Sequence, residues 1–315
     1  MKLSGLGEFG LIGWIREQFA AISTHGCEGI GDDCAVLPLN ERESLVVTTD
    51  LLVEDIHFLR TKTPPKDLGY KSLAVNLSDV AAMGATPIAS FLSIALPQNC
   101  SAEWIETFME GYRELSAQFG VPLLGGDTTS SKDRITISVT AMGKVATSCI
   151  KHRGDARVDD VIFVTGELGA SAQGLHDLLA DKTDSSFISL HNRPKPFIKE
   201  GIWLSEQTSV HAMMDVSDGV ASDLGHILRA SGCGAEVSVD MIPTNTSVEL
   251  AVTGGEDYCL LFTANATDAL VLQQEYLKTF GTPLYPIGKI IAGDQIIWKD
   301  HGNVIHPQWK GFTHF

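Results

Sequence analysis

Nine carboxylates in this chain sit beside glycine, serine or threonine at the edges of apolar segments. They are Asp32 and Asp33 in GIGDDCAV, Asp50 in VVTTDLL, Asp79 in NLSDV, Asp127 in LLGGDTT, Asp215 and Asp218 in MMDVSDG, and Glu256 and Asp257 in GGEDY. Any one of them reads as a turn residue or helix cap, because Asp beside Gly bonds its own backbone. Recurrence changes the reading: apolar strand, small residues, then acid is how α/β folds present ligands at strand ends. Carboxylates that converge without cations repel one another, which raises their pKa values and opposes folding. The set therefore calls for metal, and hard oxygen donors with no His or Cys ligand set favour magnesium, manganese or calcium over zinc. Spacing alone leads to metal-dependent phosphate chemistry and no further.

The elements that must hold these residues follow from hydrophobic period. Phe9, Ile12, Ile15 and Phe19 predict an amphipathic helix over Glu8–Ala20. A strand through Ala35–Leu37 follows, then one from Leu45 that ends in Thr48, Thr49 and Asp50. Asp67 to Met83 reads as a helix closed by Gly84, with Ser72, Asn76 and Asp79 on one face. Its flanks are apolar, so Asp79 is expected to look into a site. A strand over Ile88–Leu96 and a helix over Ser101–Gly120, capped by Ser101, lead to the short VPLLGGDTT strand and an alternating strand over Ile135–Val145. A boundary near residues 146–153 divides the chain into units 1–150 and 151–315. The second restarts with a strand over Val161–Thr165, a Gly-rich turn and a helix through Leu175–Leu179; Asp181–Pro196 reads as a polar loop. A strand over Val210–Met214 delivers Asp215, and Ser217-Asp218-Gly219 opens a helix to about Arg229. Strands and helices alternate to the end, which predicts a mixed α/β protein of two domains.

Composition narrows the partners. The formal charge is -16, from 39 acidic against 23 basic residues, so capture of nucleic acid or an anionic membrane is not expected. A phosphate-handling chain this acidic must bring cations. The six cysteines form no C-x-x-C pair and read as free thiols in a reducing cytoplasm; no secretory signal is visible. Val80–Ala102 is uncharged, but Gly84, Pro87 and Pro97 interrupt it, so no membrane span is expected. P-loop, protein-kinase, dinucleotide-fingerprint and nucleophile-elbow motifs are absent. Among basic residues Lys71, Lys144, Lys151 and Arg153 stand out, and His57 by itself reads as a buried, hydrogen-bonded histidine.

In this order the motifs resemble those of the thiamine-monophosphate kinases, within the superfamily of aminoimidazole ribonucleotide synthetase and selenophosphate synthetase. The resemblance rests on GEFGLI, GIGDDCAV, TTDLLVEDIHF, KSLAVNLSDVAAMGATP, LLGGDTT, DVSDG, GGEDY and the terminal GFTHF, which together span nearly the whole chain. It implies transfer of the γ-phosphoryl group of ATP to thiamine monophosphate. It further implies that Asp33, Thr48, Thr49, Asp50, Asp79, Asp127, Asp215 and Asp218 hold several magnesium ions, with Asp50, Asp127 and Asp215 central to catalysis. Gly126, Asp127, Arg153 and Ser217 would contact ATP; His57, Glu256 and Phe312 would contact the thiamine moiety. The implied architecture is an N-terminal mixed-sheet domain that pairs in a homodimer barrel, plus a C-terminal α/β domain, with ATP between them. Three positions depart from the family pattern: Asp55 in VEDIHF, Cys259 after GGEDY, and Thr313 in the tail.

Two alternatives compete. A selenophosphate synthetase would carry a reactive Cys followed closely by Lys in the N-terminal Gly-rich segment, and Cys27 in HGCEGIG has no such Lys; a purine synthetase would lack VEDIHF and GGEDY. A non-catalytic nucleotide-binding module would have little use for so many carboxylates.

Overall fold

The computed structural model describes residues 7–312, so Thr313 lies outside the described residues. The first half runs α1 (Gly7–Phe19), β1 (Ala35–Pro38), β2 (Glu43–Val53), α2 (Pro65–Ala82), β3 (Thr86–Pro97), α3 (Ala102–Phe119), β4 (Leu123–Ser131) and β5 (Thr136–Ala146). The second half opens with β6 (Val161–Val164), α4 (Ala170–Leu179), α5 (Ser186–Asn192), α6 (Ile198–Ser205), β7 (Val210–Asp215) and α7 (Val220–Ser231). It continues with β8 (Gly234–Ser238), α8 (Val248–Thr253), β9 (Leu260–Ala264), α9 (Ala269–Phe280), β10 (Tyr285–Ile291), β11 (Ile296–Asp300) and β12 (Asn303–Ile305).

Two sheets result. One has five strands in the order β1-β2-β5-β3-β4, the other seven in the order β12-β11-β8-β10-β6-β9-β7. Both are mixed: β3 and β4 are parallel in the first, β8 and β11 in the second, beside antiparallel neighbours. The element that joins the halves is α2. It is buried on almost every side, lying on β2 and β5 of the first sheet while also meeting α3, α6 and β7. Its apolar residues Leu77 and Val80 share one core with Leu204, Met213 and Phe262 of the second half. A helix buried all round is apolar all round unless its polar groups have partners inside, and α2 carries buried Lys71, Ser72, Asn76 and Ser78. Contact with α6 is close enough that a Cβ on Gly201 would stand 2.2 Å from the carbonyl oxygen of Ala81.

Local signals explain most of the boundaries. Ser101 caps α3, its Oγ accepting from the Trp104 amide at 3.1 Å, and Gly120 closes that helix at φ 66°. Two expectations change. β2 does not end at Thr48-Thr49-Asp50; its ladder with β5 runs unbroken from Glu43 to Val53, so the three residues sit mid-strand and alternate between its faces. The segment Asp181–Pro196 is not all loop, because it contains α5. Its polar composition concealed the helix, since the residues that α5 buries include His191 and Asn192.

Candidate active site

The first sheet presents one face to α2 and leaves the other open, and strand alternation decides what each face carries. Val46, Thr48 and Leu52 are buried on the covered face, with Asp50 in the same phase. There Thr48 Oγ1 donates to Asp79 Oδ2 at 2.5 Å, and the Asp50 amide donates to Asn76 Oδ1 at 3.1 Å, so the polar stripe of α2 is bonded to β2. One residue before Asp79, Ser78 Oγ donates to Asp215 Oδ2 at 2.5 Å, which ties α2 to the last residue of β7. Asp33, from the loop before β1, completes the group: carboxylate oxygens of Asp33, Asp79 and Asp215 lie within 4.8 Å of one another.

These acids crowd in a place with little water. Burial pushes the Asp33 carboxyl up to about 8, with Arg153 pulling against it, and pushes Asp50 up to about 7, helped by the charge of Asp215. Burial raises Asp79 strongly, with Asp50, Asp215 and Asp33 adding to it, and burial also raises Asp215 against the Ser78 hydrogen bond. Asp33 Oδ2 is buried without a hydrogen-bond partner. An orphaned carboxylate oxygen amid mutually repelling acids is what a divalent cation would satisfy, so the donor set fits a hard metal ion bound through oxygen.

Two clefts meet at this cluster. One, of about 590 Å³, is lined by Asp50, His57, Ser217, Asp218, Glu256 and Phe312 among others. The second, of about 670 Å³, is bordered by Asp33, Thr48, Thr49 and Arg153, with Phe9 and His226 on its far wall. Arg153 Nη2 binds Asp33 Oδ1 at 2.5 Å, and its Nε stands 3.3 Å from Asp32 Oδ1. In the first cleft His57 Nδ1 accepts from the Val53 amide at 3.0 Å, fixing the ring at the mouth. The half-exposed Phe312 is held there by its amide, which donates to the Asp218 carbonyl at 3.1 Å. Ser217 lies in the wall of this cleft, whereas Arg153 borders the second.

Three expected site residues lie outside the acidic cluster, although Thr49 borders the second cleft. Thr49 is on the open face, where its Oγ1 donates to the Val139 carbonyl at 3.2 Å. Gly126 and Asp127 are on β4, the exposed edge strand, and β5 and β3 lie between them and β2. Registers place Asp127 across from Ser93, Ser93 from Ser138 and Ser138 from Leu51, so Asp127 shares the face of Thr49 and not that of Asp50. Gly126 also has a local reason to be glycine: its φ is 147°, and a Cβ would stand 1.7 Å from the Leu92 carbonyl oxygen. A single chain therefore assembles Asp33, Thr48, Asp50, Asp79 and Asp215; Thr49 borders the second cleft from the opposite strand face, and Gly126 and Asp127 lie on the exposed β4.

Several neighbours were not singled out as site residues. Ser78 orders Asp215. Asp223, buried in the first turn of α7, accepts from the Asp218 amide at 3.1 Å through Oδ2 while Oδ1 has no partner, and burial raises its pKa strongly. Its sequence signal, an acid in a helix first turn, is too common to point to a site. Lys71 and His191 reach Glu256 from α2 and α5. Of the other basic residues, Lys151 is buried and donates to the Gln207 and Val210 carbonyls, while Lys144 pairs with Glu43 at the surface. The departure at Asp55 has a geometric cost, since its φ is 68°, a value that suits glycine; Arg134 Nε stands 3.2 Å from its carboxylate.

The chain matches the AIR synthase related proteins in both of its halves. Their N-terminal domain matches residues 31–145 and their C-terminal domain residues 157–299. Within that class, the thiamine-monophosphate kinase of Haemophilus influenzae is 40% identical over 302 residues, covering 90% of this chain and 89% of that protein. The thiamine-monophosphate kinase of Bacillus subtilis is 35% identical over 91% of this chain and 93% of its own length. Among solved structures, AaThiL complexed with AMPPCP and TMP superposes with a TM-score of 0.86 at 32% identity, covering 100% of this chain and 99% of that one. The thiamine-monophosphate kinase of Stenotrophomonas maltophilia K279a gives 0.76 at 36% identity, over 95% of this chain and 98% of that one. The chain belongs to the thiamine-monophosphate kinase family.

Proposed function

We infer that this chain is an ATP-dependent kinase that converts thiamine monophosphate to thiamine diphosphate. The bond between the γ-phosphorus of ATP and its bridging oxygen breaks, a bond from that phosphorus to a phosphate oxygen of thiamine monophosphate forms, and ADP leaves. The observation that carries this reading is the convergence of Thr48, Asp50, Asp33, Asp79 and Asp215 where two clefts meet. One cleft suits the donor: Arg153 offers charge to its phosphates, and the apolar wall about Phe9 and Ile12 suits a base. The other suits the acceptor, with His57, Glu256 and Phe312 for the thiamine moiety, an aromatic ring being a good partner for a cationic heterocycle.

A phosphate monoester has its second pKa near ~6, so the attacking oxygen is already largely ionised at neutral pH and needs no strong base. What remains is to bring two polyanions together. Magnesium ions held by Asp33, Thr48, Asp50, Asp79 and Asp215, with Asp218 close by, would neutralise both phosphates and the charge of the transferred group. The residues supply position: Thr48 and Ser78 hold Asp79 and Asp215 in one orientation each, and Asn76 pins the strand at Asp50.

Thr49, Gly126 and Asp127 enter this reading through a second copy. An open sheet face that exposes Leu51 and an edge strand that exposes Leu123 and Leu124 fit the homodimer barrel which the family resemblance implies, with unit 1–150 as the pairing and nucleotide unit and 151–315 completing the site. A cytoplasmic location fits the six free cysteines, and no helix among the described residues is long and apolar enough to cross a membrane. The test is incubation with ATP, magnesium and thiamine monophosphate, with chromatography of the products. Thiamine diphosphate and ADP in equal amounts are expected; ADP without thiamine diphosphate would refute the reading.

A further inference from the structure

Glu256 lines the acceptor cleft, yet it is anchored from behind by two elements that belong to different halves of the chain. Lys71, from the middle of α2 and only 2% exposed, puts Nζ 3.0 Å from Glu256 Oε2. His191, buried on α5, brings Nδ1 to 3.3 Å from the same oxygen and to 3.0 Å from Ser171 Oγ at the start of α4. Burial, together with the Lys71 charge, lowers His191 to about 4, so the imidazole is neutral at neutral pH. Burial alone would raise Glu256, but the Lys71 ammonium, through its charge and its hydrogen bond, leads the opposing effects and the pKa is lowered.

The backbone is held as firmly as the side chain. Glu256 and Tyr258 have φ of 64° and 52°, left-handed values that non-glycine residues adopt at a cost and that cluster at functional sites. The Glu256 amide donates to the Ser217 carbonyl and the Tyr258 amide to the Val216 carbonyl, each at 2.8 Å. Asp257 clamps the loop to the start of α4, accepting from the amides of Gly169 at 2.6 Å and Ser171 at 3.0 Å. A buried ion pair is a weak device for stability, since a packed apolar pair serves as well. Its use here is to keep one carboxylate charged and in one place at the wall of a cleft.

We propose that Lys71 and His191 are positioning residues that act through Glu256, presenting its carboxylate to an N–H donor on the heterocyclic end of the acceptor. This rests on the kinase reading above. Because the Lys71 ammonium already offsets the charge, Glu256 serves as an oriented hydrogen-bond acceptor more than as a counter-ion, and it selects acceptors whose ring carries an amino group.

The test is steady-state kinetics on the full chain with Lys71→Met, Lys71→Arg, Glu256→Gln and the double variant Lys71→Met/Glu256→Gln. For Lys71→Met the KM for thiamine monophosphate rises on the order of ten- to a hundred-fold, while kcat and the KM for ATP stay within about two-fold. Lys71→Arg recovers most of that loss. The double variant is no worse than Glu256→Gln alone, as expected of residues that act as one unit. It also leaves no lone buried charge, so it remains readable if Lys71→Met alone does not fold. A double variant clearly worse than Glu256→Gln, or equal rises in both Michaelis constants, would overturn the proposal. Wild-type protein that makes no thiamine diphosphate refutes the kinase reading instead.

Discussion

The two faces of the first sheet carry similar residues and meet different fates. On the covered face Thr48 and Asp50 are drawn into a buried network with Asp33, Asp79 and Asp215; on the open face Thr49 and Asp127 stand in the surface, three strands apart. In sequence TTD and GGDTT look like equivalent ligand motifs. The difference lies in strand phase and in what packs on each side: α2 and β7 supply partners to one face, while on the other Thr49 bonds within the sheet, to the Val139 carbonyl and Thr140, and β4 stays exposed. One face packs its polar residues against a helix, and the other leaves Leu51 and Asp127 exposed.

Substitutions on the two faces are expected to fail in different ways. Asp50→Ala or Asp79→Ala keeps the fold and loses turnover on the order of 10³-fold, a loss that does not depend on protein concentration. Retention of activity by both in saturating magnesium would break the comparison at its strongest point. Leu124→Asp, on the open edge, is expected to shift sedimentation from dimer to monomer and to lower activity about ten-fold or more, with partial recovery at high concentration. Unchanged mass would show that this edge is not where copies meet. His57→Ala, at the mouth of the acceptor cleft, should raise the KM for thiamine monophosphate about ten-fold with little change in kcat.

The smallest effect is on stability. Asp33 and Asp50 have folded-state pKa values raised from 3.8 to about 8 and about 7. A raised pKa means that the folded state holds its protons more tightly, so this stability is fully present below pH ~4 and is lost as pH rises through 7 to 8. In chelator, Tm should therefore fall by a few degrees from this source between pH 5 and 8, and magnesium should restore it. Asp79→Asn should flatten that slope; a slope unchanged by magnesium would mean that the acids are not its ligands.

The convergence of Asp33, Asp79 and Asp215 was legible because acids beside small residues recur at apolar edges, a pattern that points to side chains gathered in one place. Helix ends such as Ser101 and Gly120 were legible because capping is local chemistry. The faces were not, since a strand read as ending at Asp50 hides the alternation that separates Thr48 from Thr49. The anchoring of Glu256 was hidden for two reasons. Lys71 pairs across 185 residues, a partner no local pattern can reveal. His191 sits in a helix whose buried side is polar, so the usual apolar period was missing.

The central claim, that the acids on the covered face bind divalent cations, can be measured without turnover. Calorimetric titration of manganese into the protein with a non-hydrolysable ATP analogue should show saturable binding that Asp79→Asn weakens on the order of a hundred-fold or abolishes. Binding of equal affinity and stoichiometry in Asp79→Asn would contradict it.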